Sequence, residues 1–299
     1  SSEVSGLLPV APARAGTAAF GQSLFALKPE RGQEWTPMDM WPASAGWREL
    51  FLPLGAVAVS APAKTLSVDD QGGATCDEMP PGAGYRVFLP SKPGNGREPL
   101  SPEMRRRLTE PPKGLDPRVA RLARRIFAGR ETPAEKMKAV EEYFARHHRY
   151  ALGVTIPAGK DPLTYFLLER PDAHCEYFAT GAAVLLRLGG VPARYVTGLI
   201  ASEWNSVGRY WVARNKNAHA WVEAYDPARG WTLVEATPSQ GLAEPSRPGV
   251  WMRLWDALRF RLQELRALLW QRGLWGFWAW RVGRAGGVWG FLLCRPWAP

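Results

Sequence analysis

Residues 172–190 read DAHCEYFATGAAVLLRLGG, and their spacing decides the fold. Apolar side chains recur at Phe178, Ala182, Leu185 and Leu186, Ala179 and Ala183 fill the same face, and Gly189-Gly190 ends the pattern. The segment therefore predicts a helix that opens at Cys175. In a first turn the backbone N–H groups lack intrahelical partners, and the positive end of the helix dipole favours an anion such as a thiolate. Free cysteine is often a small buried hydrophobe. Here His174 and Glu176 flank the thiol and make the position more polar than a core site.

Two later segments, 219–225 (HAWVEAY) and 231–235 (WTLVE), alternate as strands do, and Asp226-Pro227-Ala228-Arg229-Gly230 between them is rich in turn formers. A three-residue loop facing Tyr225 with Arg229 would set Glu223 opposite Trp231, Trp221 opposite Leu233 and His219 opposite Glu235. The side-chain period of two gathers these on one face and leaves Ala220, Val222, Ala224, Thr232 and Val234 for the other. Opposed Cβ atoms lie about 4.5–5.5 Å apart, close enough for a carboxylate to hold an imidazole. Cys175, His219 and Glu235 then supply a nucleophile, a base and an orienting acid for covalent acyl transfer. The plainer alternative is a hydrogen-bonded sheet histidine beside a solvated glutamate. Asp226 is a rival orienter, at the far end of the hairpin. Tyr177 and Trp221 are candidates to wall a substrate cleft, although aromatic residues so placed often serve packing alone.

The blocks Cys175-Glu176-Tyr177-Phe178-Ala179, Gly190-Val191-Pro192-Ala193-Arg194-Tyr195-Val196-Thr197-Gly198, Ala218-His219-Ala220-Trp221-Val222-Glu223 and Gly230-Trp231 occur in one order. Over roughly residues 100–240 they resemble the transglutaminase-like superfamily, in particular its bacterial membrane-anchored branch of protein-glutamine gamma-glutamyltransferases. The resemblance implies an α+β, papain-like core in which a helix-borne cysteine packs on an antiparallel sheet, with Cys175 as nucleophile and His219 as general base; the expectation for cofactor and metal is none. Glu235 stands where the family has aspartate: Asp-Pro-Thr-Pro there is Glu235-Ala236-Thr237-Pro238 here. The implied reaction is thiol attack on a glutamine carboxamide of a protein or peptide, giving a thioester that an amine or water resolves, as in a transglutaminase or deamidase. The alternatives are a cysteine peptidase of the same fold and a catalytically degenerate binding module at a membrane surface. The branch also implies the extracytoplasmic, periplasmic face of a bacterial membrane, with this chain as the soluble part of a larger anchored protein.

The rest of the chain bounds this reading. Its 299 residues exceed one average domain, and 46% hydrophobic with 22% charged residues is ordinary for a globular protein. Cys76, Cys175 and Cys294 contain no CxxC pair, and with only His147, His148, His174 and His219 to add they do not suggest zinc. Residues 1–100 are rich in Pro and Gly with short apolar runs at Ala18-Ala19-Phe20, 49–52, 57–59 and 85–89, predicting a small β-rich module. Asp116-Pro117, the capping box Thr132-Pro133-Ala134-Glu135 and Asp161-Pro162 each predict a helix start within a catalytic domain of residues 101–245.

Residues 246–299 form a distinct tail. From Val250 onward there are eight Trp and eight Arg against only Asp256 and Glu264, so the tail holds much of the formal net charge of +10. Trp251, Trp255, Leu258, Leu262, Leu265 and Leu269 recur at helical spacing, which predicts an amphipathic helix suited to a membrane surface. No run reaches the roughly 18–20 apolar residues needed to span a bilayer, and 285–294 is much too short. A pI near 9.8 raises nucleic acid as a partner, but the charge sits on a Trp/Leu tail without a groove-reading motif, so the expectation is no nucleic acid.

Overall fold

The structure, a computed structural model, describes residues 2–3, 23–27, 34–42, 48–69, 73–77, 79–80, 83–91, 99–242, 246 and 248–271. They fall into two compact units, one drawn from residues 1–92 and 251–299, the other from residues 93–250.

The first unit contains β1 (Ser2–Glu3), β2 (Ser23–Ala26), β3 (Trp35–Met40), β4 (Glu49–Leu50), β5 (Ala58–Ala61), β6 (Leu66–Val68), β7 (Ala74–Cys76) and β8 (Tyr85–Pro90). They pair antiparallel in two sheets, ordered β1-β6-β7-β4 and β2-β5-β8-β3. Alternation along β5 and β8 turns Val59, Tyr85 and Val87 into a core with Phe25, Leu50 and Leu66. The runs expected at 49–52, 57–59 and 85–89 each contribute to a strand; Ala18-Ala19-Phe20 lies outside the described residues. Cys76 is a buried free thiol.

The second unit orders α1 (Pro102–Thr109), α2 (Pro117–Ile126), α3 (Pro133–His147), α4 (Pro162–Glu169) and α5 (Cys175–Leu188) before β9 (Ala193–Leu199), β10 (Glu203–Asn205), β11 (Tyr210–Val212), β12 (Ala218–Asp226) and β13 (Gly230–Val234). The helix starts follow local chemistry. Asp116 accepts from Arg118 N, Thr132 and Glu135 close a full capping box, and Asp161 accepts from Thr164 N, each with proline in the first turn. Helix α1, absent from the sequence reading, buries only Leu108 and so carries no apolar stripe to betray it. The main sheet runs β13-β12-β9, antiparallel throughout, with β12 in the centre. Against it α5 packs Phe178, Ala182, Leu185 and Leu186, joined by Phe144, Phe166 and Leu167 from α3 and α4 and by Ala220, Val222, Ala224 and Val234 from the sheet. Each large side chain so buried contributes about 1.5–3 kcal/mol.

The hairpin register differs from the expected one by two residues. Asp226 pairs with Gly230, Tyr225 with Trp231 and Glu223 with Leu233. The loop shifts because Gly230 takes φ +80°, while Asp226 closes the turn by accepting from Arg229 N and, through Oδ1, from Ala228 N. A shift of two preserves the side-chain period, so the faces are the expected ones.

Helix α6 (Val250–Gln271), expected as a separate tail, clusters from Trp251 onward with the N-terminal strands. There Gln263 Nε2 donates to Pro42 O at 2.7 Å, and Phe260 packs edge-on against Trp41 at 5.0 Å.

Candidate active site

Cys175 is the first residue of α5 and lies half-buried against the core. The segment leading to it is pinned: Ala151 N donates to Ala173 O at 2.9 Å, and Ala173 N donates to Arg149 O at 3.2 Å. His174 occupies the N-cap without a side-chain cap hydrogen bond. Its ring packs edge-on to Tyr177 at 5.1 Å, and its Nε2 lies 3.4 Å from Glu176. The N–H groups that open α5 are thus not taken by a capping side chain, which is what an incoming oxyanion requires.

His219 is the second residue of β12 and is buried; its Nε2 lies 2.7 Å from Glu235 Oε2. A carboxylate only accepts, so Nε2 carries the hydrogen, and in the neutral ring Nδ1 keeps the free electron pair. Continuing the observed register past Val222–Val234 makes Glu235 the diagonal rather than the direct neighbour of His219. Diagonal Cβ atoms are about 7–8 Å apart, and the additional methylene of glutamate helps cover that span. The carboxylate is fixed at a second point: Oε1 accepts from Thr237 N at 2.9 Å. Asp226 is engaged in the turn at the opposite end of β12.

Trp221 shares the His219 face. Its ring stacks at 22° with a centroid separation of 6.2 Å from the imidazole. The indole also rests on Gly198, where an added Cβ would meet Trp221 Cη2 at 2.6 Å, so the position needs glycine for clearance. The indole N–H is buried without a hydrogen-bond partner. Tyr177 stands beside Cys175, held between His174 and Phe166 at 5.1 and 5.6 Å.

Three neighbours escaped the sequence reading. Glu141, on α3, accepts from Glu235 N at 3.0 Å. Burial, with the nearby Glu235 charge adding to it, holds the Glu141 carboxyl above the usual carboxylate range against the lowering effect of that hydrogen bond. Tyr150 and Tyr195 lie within electrostatic reach of the Cys175 thiol; burial raises both phenols, and a negative charge on Cys175 raises them further, with Glu176 also acting on Tyr195. Only Tyr195 had a sequence signal, inside the Gly190–Gly198 block. His219 and Glu235 are thus joined directly, whereas Cys175 makes no hydrogen bond to His219 and reaches this region through the packing of α5 on β12.

Residues 120–236 match the model of the transglutaminase-like superfamily. YebA, an uncharacterized protein of Bacillus subtilis, is 36% identical over 143 residues, which are 46% of this chain and 19% of that protein. A protein-glutamine gamma-glutamyltransferase of Pseudomonas aeruginosa is 32% identical over 139 residues, 46% of this chain and 21% of that protein. The chain spans about one fifth of the length of these curated relatives. Among solved structures, the periplasmic domain of TgpA from Pseudomonas aeruginosa shares the fold at a TM-score of 0.55 and 24% identity, over 70% of this chain and 74% of that one.

Proposed function

From the match of residues 120–236 to the transglutaminase-like superfamily we propose that the protein performs thiol-dependent acyl transfer on the glutamine carboxamide of a protein or peptide. The observation that carries this reading is the 2.7 Å contact between His219 and Glu235 on the sheet that supports the Cys175 helix. In the proposed cycle His219 Nδ1 takes the Cys175 proton, and the thiolate adds to the carboxamide carbon. The resulting oxyanion is met by N–H groups at the start of α5. Collapse breaks the C–N bond as His219 returns the proton, releasing ammonia and leaving a thioester. A primary amine or water then attacks the thioester while His219 removes its proton, and the thiol is restored. Glu235 holds the imidazole in the productive tautomer and faces the positive charge it gains, and Trp221 and Tyr177 line the approach. The name of the Pseudomonas relative supports the carboxamide as donor. The same reading puts the protein at the periplasmic face of a bacterial membrane, the compartment named for the TgpA domain.

The test incubates wild type and Cys175→Ala with a glutamine-containing donor protein and a labelled primary amine, followed by mass. Wild type is expected to add the amine with loss of ammonia, or to replace the amide by acid, and Cys175→Ala to do neither. Wild-type cleavage of the donor into fragments would instead favour a peptidase of this fold. Identical inertness of both proteins beside an active control would support a degenerate binding module and sink the proposal.

A further inference from the structure

Helix α6 is oriented against its own amphipathic pattern. Leu269, the last position of the expected stripe, is partly buried, as are Asp256, Ala257, Phe260, Gln263 and Glu264, whereas Trp251 is 84% exposed, Trp255 65% and Leu262 52%, with Leu254, Leu258 and Leu265 also exposed. At 100° per residue the six exposed positions form one stripe along the helix. Arg259 and Arg266 border that stripe on one side and Arg261 on the other, all three exposed. Both acids of the helix are on the inward side, where Glu264 bonds Arg261 at 2.9 Å. The outward surface therefore combines a tryptophan-led apolar strip with a cationic border.

We propose that this face docks on an anionic lipid bilayer, with α6 lying in the plane of the interface. Charge decides between occupants. A second copy of α6 laid on the stripe would bring arginine borders together with no exposed acid on either helix to answer them, whereas anionic headgroups meet them with opposite charge. Tryptophan prefers the headgroup level, where its ring is half in hydrocarbon. No described helix is long and apolar enough to cross a membrane, which fits α6 to an in-plane position of some 33 Å along its axis.

The test is co-sedimentation of the full chain with phosphatidylglycerol/phosphatidylcholine vesicles and with phosphatidylcholine vesicles, alongside sedimentation velocity without lipid. Wild type is expected to partition at least tenfold more strongly onto the anionic vesicles, with a blue shift of tryptophan emission and weakening in salt. Leu258→Glu/Leu262→Glu should lose about tenfold or more on both vesicles, and Arg259→Glu/Arg266→Glu should lose the preference for anionic lipid. All four positions are exposed, so folding, checked by circular dichroism, is expected to survive. Equal binding to both vesicles, wild-type binding by the leucine variant, or a lipid-free dimer that this variant dissolves would each overturn the proposal.

Discussion

Helices α5 and α6 carry the same kind of signal, an apolar stripe at helical spacing, and put it to opposite use. On α5 the stripe of Phe178, Ala182, Leu185 and Leu186 is fully buried, and the polar end at Cys175 is left accessible. On α6 the stripe of Trp251, Trp255, Leu258, Leu262 and Leu265 is exposed, and Gln263 turns inward to a backbone carbonyl. Periodicity identifies a face without saying what covers it. The covering is decided by neighbours: α5 has phenylalanines from α3 and α4 to close over it, while α6 meets its own unit through Phe260 against Trp41 and the Gln263 hydrogen bond rather than through its apolar stripe.

The comparison breaks most visibly if the accessible end of α5 does no chemistry. Glu235→Ala should remove the group that fixes the His219 tautomer and lower kcat/KM by about 10³–10⁴ with little change in fold, measured on the glutamine donor. A loss below about tenfold would show that Glu235 is a bystander. Next in size is the contrast of the stripes themselves. Phe178→Ala empties a fully buried site and should cost about 3–5 kcal/mol, whereas Leu262→Ala on α6 should change stability by less than about 0.5 kcal/mol. Equal costs in urea melts of the two variants would mean that α6 has a covered face after all.

Legibility followed sequence distance. The starts of α2, α3 and α4 were readable because each cap is a contact within three residues. The two faces of β12 were readable because alternation survives a register shift of two, although the shift itself depended on the positive φ of Gly230. Glu141 was unreadable: its bond to Glu235 joins positions 94 apart, and nothing in an α3 glutamate marks it as inward. For α6 the sequence marked the apolar stripe, but not that the helix would leave most of it exposed and turn Phe260 and Gln263 inward.

Burial on the α5 side also has a pH signature that α6 cannot share. His148, at the C-cap of α3, does not cap with its ring; the imidazole is buried against Phe144, Phe166 and Phe178, with Nε2 3.2 Å from Phe166 O. Burial, helped by the charges of Arg170 and His147, pushes its pKa down from 6.5 to about 4. The folded state thus binds this proton less readily than the unfolded chain. Stability is full above pH 6.5 and falls with pH until the folded group also titrates near 4, a loss of about 3 kcal/mol. His148→Phe should remove that dependence; an unchanged acid slope in denaturant melts from pH 7 to pH 4 would assign it elsewhere.

The smallest effect concerns the inward polar groups. Gln263 on α6 donates to a carbonyl and is neutral, whereas Glu141 on α3 accepts from Glu235 N and becomes charged beside another carboxylate. The Glu141 pKa is raised by burial first, so the folded state holds this proton more tightly than the unfolded chain. The stabilisation is complete at acid pH and is lost as pH rises through the raised value. Glu141→Gln keeps a carbonyl oxygen for Glu235 N and removes the charge. The variant should match wild type at low pH and exceed it at pH 8 by less than about 1 kcal/mol, water screening the half-exposed group. Glu141→Ala instead strands the Glu235 N–H and should cost about 1–3 kcal/mol together with catalytic rate, since the acid that orients His219 loses its backbone anchor. If Gln and Ala behave alike at every pH, the hydrogen bond contributes nothing, and Glu141 is an inward polar residue of no more consequence to the site than Gln263.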